Sequence, residues 1–328
     1  MPKSRHVGLS RWRRPIAAGF LAWFVGGLVV AAVAALIAIV VLGGDDVSVS
    51  EPIPVGEGPL RLAVGDGALW VTSAGDGTLS RIDPDTREVT GPPLRLGRGI
   101  SGVAVGAGSV WVTSPGDGSV LRVDPDSGRV VARISVGGRP GAIVVAGGRV
   151  WVADEAGGGV SAINPAGGSV FKRGIAPRAA PLRLAVGAGA VWVSSATTGS
   201  VRRIDRGTVS AEAPILVGRG PAGVTVAGGL VWVANSRAGA VTRVDPSIRA
   251  ILGAPIEVGE RPGGIDAGTD AVWVANAADD TVSRIAIESG ETVGDPISVG
   301  PEPGAVAVGE EAVWVANNGD GTVTRIEP

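Results

Sequence analysis

From residue 52 onward, short apolar bursts alternate with Gly, Asp and Pro punctuation. One burst recurs almost unchanged, as GAVWVSSATTGSVRRID at 189–205 and EAVWVANNGDGTVTRIE at 311–327. Its tryptophan stands at 70, 111, 151, 192, 232, 273 and 314, a period of 40 or 41 residues. A period of this length marks one supersecondary unit repeated along the chain. Four strand-like runs fit into each period. Gly-Val-Ala-Val at 102–105 typifies strand a, Val-Trp-Val-Ala at 231–234 strand b, Thr-Val-Ser-Arg-Ile at 281–285 strand c and Pro-Ile-Ser-Val-Gly at 296–300 strand d. Turn chemistry separates them: Gly between a and b, Asp-Gly between b and c, and Asp-Pro-Asp between c and d. A Gly-x-x-Pro loop, such as Gly259-Glu-Arg-Pro262, leads from strand d into the next unit. Four short strands per unit predict the blade of a β-propeller.

The units are out of phase with the chain ends. Residues 52–56 read as a strand d without a blade, and residues 322–327 read as a strand c with no strand d after it. Joining them completes a seventh blade. The pattern therefore predicts an all-β, seven-bladed propeller of four-stranded blades over 52–328, its ring closed by the N-terminal strand 52–56. Closure removes the unpaired edges that an open array would expose. Each recurring tryptophan lies mid-strand between small apolar residues, which predicts packing between neighbouring blades.

Before the repeats, residues 16–42 run for 27 positions without a charge. About 20 apolar residues span a bilayer, so this run predicts one transmembrane helix. It is too long for a cleavable signal and ends in Leu-Gly-Gly-Asp-Asp without a small-residue cleavage site. Lys3, Arg5, Arg11, Arg13 and Arg14 precede it, while Asp45, Asp46 and Glu51 follow. The positive-inside bias places a cytoplasmic tail at 1–15, a signal anchor at 16–42, a linker at 43–51 and an extracellular propeller. Residues 43–51 reach about 30 Å at most. They feed directly into a strand d, so the c–d turns are expected nearer the membrane and the d–a loops away from it.

WVANNGDGTVTRIEP at 314–328, preceded by VGPEPGAVAVG at 299–309, resembles the YVTN and NHL classes of extracellular propeller repeat. The resemblance spans all seven repeats and implies the propeller fold; proteins of this kind include surface proteins, sensor domains and lyases. The seven-bladed virginiamycin B lyase type, which the repeats also resemble, implies histidines and a magnesium ion at one face. The only histidine here is His6, in the basic tail. No catalytic position, metal or cofactor can therefore be carried over from that resemblance.

Candidate chemistry lies where the repeat symmetry fails. The d–a loops entering blades two to six carry Arg98, Arg139, Arg178, Arg219 and Arg261, whereas those entering blades one and seven carry Glu57 and Glu302. This predicts a basic arc beside an acidic sector on the membrane-distal face. Strand a carries Arg61 in blade one and Arg183 in blade four where other blades have Gly or Ala. In blade six Asp266 replaces Ala, Val or Thr. Strand a is innermost, so these three are expected at the mouth of the central channel. Repeated features point instead to structure. Arg81, Arg122, Arg203, Arg243, Arg284 and Arg325 recur in strand c, mostly two residues before an acid, which predicts a ring of Arg–carboxylate contacts. The b–c loop acids Asp76, Asp117, Asp154, Glu155, Asp279, Asp280 and Asp320 fit hairpin turns.

Function classes narrow by elimination. The chain has no Cys, which excludes thiolate metal sites, disulfides and Cys nucleophiles. Net charge is −2, and the five basic residues of the tail leave the remainder at −7, which argues against nucleic acid as a partner. With no recognisable nucleophile–base set, the residues favour a monomeric, non-catalytic binding or sensor module for an envelope polymer or protein. A carboxylate-based hydrolase or lyase is the alternative.

Overall fold

The computed structural model describes residues 47–176, 180 and 182–328. The tail and the apolar run 16–42 lie outside the described residues. Among the described residues no helix is long and apolar enough to cross a membrane.

Residues 47–328 form seven antiparallel sheets that follow one another along the chain. In blade one, strand a is Pro59–Gly65, b is Ala68–Ser73, c is Thr78–Ile82 and d is Leu94–Arg95. Strand b is wholly buried in blades one, two, four and six. It is covered on both faces by neighbouring sheets, which is why its sequence reads as a continuous apolar run.

The tryptophans join each blade to the next. Trp70 packs against Val103, Val110 and Leu121 of blade two, and Trp111 against Val150 and Ile163 of blade three. Trp192 meets Val231, Trp232 meets Val272 and Trp273 meets Val313. Trp314 of blade seven packs on Leu69, Val71 and Ile82 of blade one, so the hydrophobic contacts run round a closed circle. The innermost strands approach so closely that some positions exclude a side chain. A Cβ at Gly102 would lie 2.3 Å from the carbonyl oxygen of Gly141, and one at Gly223 would lie 2.2 Å from that of Gly263.

Blade seven uses both ends of the described chain. Ile53 and Pro54 pair with Val323 and Thr322 of strand c. Pairing also reaches upstream of residue 52: Ser48 and Val49 pair with Glu327 and Ile326, so part of the expected linker belongs to the blade. The outer strand is thus two short pieces with Pro52 between them. Blades four and five repeat this break, with Pro214 between Ser210–Ala211 and Ile215–Leu216 and Pro255 between Ala250–Ile251 and Ile256–Glu257. Proline offers no N–H to the ladder and is tolerated at the outer edge.

The strand-c arginines correct the expected ion-pair ring. In register beside the tryptophan of their own blade, Arg81, Arg122, Arg243, Arg284 and Arg325 place their guanidinium groups 5.5–5.7 Å from its ring centroid. Arg81 and Arg122 also donate from Nη1 to the carbonyls of Pro125 and Pro165 in the next blade's c–d turn, each at 3.3 Å. The acids that follow are occupied in their own turns: Asp83 accepts from the amides of Asp85 and Thr86, and Asp124 from that of Ser127. Carboxylate pairing survives at Arg203, with Asp205 and Glu212, and at Arg325, with Glu327. A flat guanidinium stacks on an indole while its edge still donates, so one side chain serves both contacts.

Candidate functional site

The seven strands a enclose a central channel of about 520 Å³. Alternation along each strand arranges its lining in rings. The ring nearest the d–a loops contains Arg61 and Arg183, with Gly102 and Ala142 between them in chain order. Towards the other end the lining becomes apolar, with Val64, Val105, Val145, Val186 and Val226.

Arg61 and Arg183 therefore stand in the channel, from blades one and four. Arg61 donates to the carbonyl of Leu60, and Arg183 donates to that of Leu182 at 2.7 Å. The Nε of Arg61 is buried without a partner. Both arginines keep some surface open to the channel, yet protein atoms crowd their guanidinium groups. That desolvation pulls Arg61 well below the usual arginine value, and the like charge of Arg183 adds to the effect. Desolvation likewise draws Arg183 down to about 10, which leaves it a cation at neutral pH.

The acid that opposes this depression at both arginines is Glu155. It belongs to the b–c loop of blade three, which sequence reasoning assigned to turn formation with the other loop acids. The signal was present: the aligned positions are Ala74, Pro115, Ala196, Ser236, Ala277 and Asn318. Glu155 lies over Gly141 at the start of strand a, where a Cβ would come 2.2 Å from its Oε1. Its other oxygen, Oε2, stands 3.9 Å from the Nε of Arg139.

Asp266 also lines the channel, two positions further along its strand than the arginine ring, rather than at the mouth as expected. Its Oδ2 accepts from the backbone N–H of Val308 at 2.9 Å, and its Oδ1 faces the Thr225 hydroxyl at 3.4 Å. It brackets blades five, six and seven, and both oxygens are engaged. Burial pushes its pKa up; the Val308 and Ala267 amides and the Thr225 hydroxyl pull the other way. A raised folded-state pKa means that the ionised form costs stability, fully above that pKa and not at all below the usual aspartate range. Asp266→Asn keeps both contacts, since its oxygen can accept from Val308 and its amide can donate to Thr225. It is expected to raise stability at pH 7 by on the order of 1 kcal/mol. Urea unfolding of both proteins at pH 7 and at pH 3.5 checks this, with the difference disappearing at the lower pH.

Of the loop arginines, Arg98, Arg139, Arg219 and Arg261 are exposed, and Glu57 and Glu302 are exposed on the same face. Arg178 lies outside the described residues. Most loop acids on this face bind backbone. Asp154 accepts from the Arg139 amide at 2.8 Å, Asp279 from that of Glu260 at 2.5 Å and Asp280 from that of Glu302 at 2.9 Å. These bonds tie the b–c loops of blades three and six to d–a loops at the rim around the channel. Among the described residues no group of three or more potential metal ligands occurs.

No protein-family model and no curated protein matches the chain. Solved structures share its fold. Virginiamycin B lyase from Staphylococcus aureus superposes with a TM-score of 0.73 at 17% identity, over 86% of this chain and 100% of that one. A streptogramin B lyase gives 0.75 at 16% identity, over 86% of this chain and 97% of that one. Hydrazine synthase from Kuenenia stuttgartiensis gives 0.74 at 15% identity, over 83% and 96%. A variant of the S. aureus lyase made inactive by replacing a histidine with alanine is known in complex with quinupristin. The chain is thus a seven-bladed propeller of the architecture that the lyases share.

Proposed function

We propose that this chain is a membrane-anchored, non-catalytic binding module, a YVTN/NHL-type propeller that presents its d–a face to the cell envelope. The observation that carries this reading is the pair of desolvated guanidinium groups, Arg61 and Arg183, in a channel whose other lining residues, apart from Asp266 and Thr225, are small or apolar. Such a site binds; it does not transfer protons. The propeller contains no His or Cys. Its buried carboxylate, Asp266, has both oxygens engaged by neighbouring strands, which argues against Asp266 as the base of a carboxylate-based hydrolase or lyase. The apolar run 16–42 and the basic residues before it support a single-pass anchor with the N-terminus in the cytoplasm.

Co-sedimentation of the detergent-solubilised full-length chain with purified cell envelope tests the role. The parent protein is expected to sediment with the envelope, and Arg61→Ala combined with Arg183→Ala to weaken this at least tenfold. Failure of the parent to sediment would overturn the binding role. Protease added to intact cells is expected to cleave the propeller, and its protection would overturn the orientation.

A further inference from the structure

The repeat symmetry breaks at Glu155 in blade three, and the backbone beneath it leaves room for the break. Glu155 is an acid where the other blades carry Ala, Pro, Ser or Asn. Gly141, beneath it, has no side chain, and any Cβ there would collide with the Glu155 carboxylate. The carboxylate is therefore seated at the channel mouth by design of the backbone, beside blade four, which supplies Arg183. Arg61 and Arg183 both feel the Glu155 carboxylate, and Arg139 stands beside it at the rim, so this single acid does not balance the guanidinium groups around it. The unpartnered, buried Nε of Arg61 is a hydrogen-bond donor with nothing to donate to. A planar guanidinium in that condition suits a carboxylate or phosphate oxygen.

The other end of the channel has the opposite character. Beyond the valines, the a–b turns carry exposed Asp66, Asp270, Glu310 and Glu311, which line grooves on that face. An anion is attracted from the d–a side and repelled from the other, so the potential along the channel selects one entrance.

We propose that the mouth of the channel is an oxyanion-binding site formed by Arg61 and Arg183, and that Glu155 is its built-in competitor, which a carboxylate- or phosphate-bearing ligand must displace. This deepens the binding role above by naming the chemistry of the ligand. Glu155 keeps the unliganded site partly neutral and sets a threshold that weak or singly charged anions do not pass. Its loop runs Asp154-Glu-Ala-Gly-Gly-Gly159, and the three consecutive glycines allow the carboxylate to swing aside.

The test is a fluorescence-polarisation titration of the full-length chain in detergent with labelled oligoglutamate and labelled short polyphosphate, and with neutral dextran as control. The parent is expected to bind at least one acidic probe and not dextran; binding of neither acidic probe overturns the proposal. The probe bound more tightly identifies carboxylate or phosphate as the preferred source. Glu155→Gln is expected to tighten binding at least fivefold, and an unchanged or weaker affinity overturns the competitor role. Arg61→Gln with Arg183→Gln is expected to weaken it at least tenfold in a protein whose circular dichroism and Tm match the parent, and retained affinity overturns the site. Glu155→Gln leaves both arginines in place and keeps the test decisive if the double variant is unstable. Envelope binding that persists while acidic probes fail removes the oxyanion reading and leaves the binding role standing.

Discussion

Deletion of residues 322–328 is expected to abolish folding of the propeller. These residues are strand c of blade seven, and they hold that blade together from both sides. Strand b, Val313–Asn317, pairs with them on the inner side, and the two outer pieces at 48–49 and 53–54 pair with them on the outer side. Val323 and Ile326 are fully buried, one among contacts to blade one and the other among contacts to blade six. Without the strand, the upstream segment has no partner and the core between blades six, seven and one is open to water. Each lost aliphatic side chain is worth about 2–3 kcal/mol of burial, and the ladder hydrogen bonds are lost with them. The sum approaches the whole stability of an ordinary domain, about 5–15 kcal/mol. The expected readout is insoluble product, or loss of the cooperative thermal transition. A soluble, cooperatively melting truncation would show that the ring does not need closure.

The second large effect is expected from Trp232→Ala. Trp232 is fully buried against Val272 and Val274 of the next blade, its Nε1 donates to the Ala227 carbonyl at 3.1 Å, and Arg243 stacks over its ring. Truncation leaves a cavity between two blades and strips Arg243 of its stacking partner. A loss of about 3–5 kcal/mol follows from the cavity and transfer contributions, measured by urea unfolding. Arg243→Lys isolates the smaller part. It keeps the charge and loses the planar stack, so a cost of about 1 kcal/mol is expected.

The architecture was legible because it rests on residues that repeat. Seven tryptophans at one spacing define seven equivalent packing contacts, and the phase of the two chain ends shows which blade they share. What escaped was the partner of each repeated polar group. Asp83 and Arg81 stand two apart, and proximity along the chain suggested an ion pair. In the sheet, residues two apart on one strand point to the same face but differ in depth, and Asp83 sits at the turn, where backbone amides are nearer than any guanidinium. Arg81 instead meets Trp70 directly across the ladder.

The candidate site was legible by half. Arg61 and Arg183 were visible as departures from the repeat on the innermost strand. Glu155 was visible as an acid but not as a neighbour, because its relation to them depends on the empty space above Gly141, which no pattern on its own strand records. Asp266 departed from the repeat as plainly as the arginines did, yet its exception is structural. The amide of Val308, on the next blade, takes the place a ligand would need.

The closed blade also dictates when the molecule can finish folding. The hydroxyl of Ser48 donates to Glu327 across 279 residues of chain, so the outer piece at 48–49 waits for a strand made much later. Blades one to six can form as they are made, each from about 40 consecutive residues, because their contacts are local. The seventh cannot, and until it does the outer segment at 48–54 and the flank of blade six stay unpaired. Lowered temperature or slowed synthesis therefore lengthens a single vulnerable interval, between completion of blade six and the arrival of strand c of blade seven, rather than many along the way.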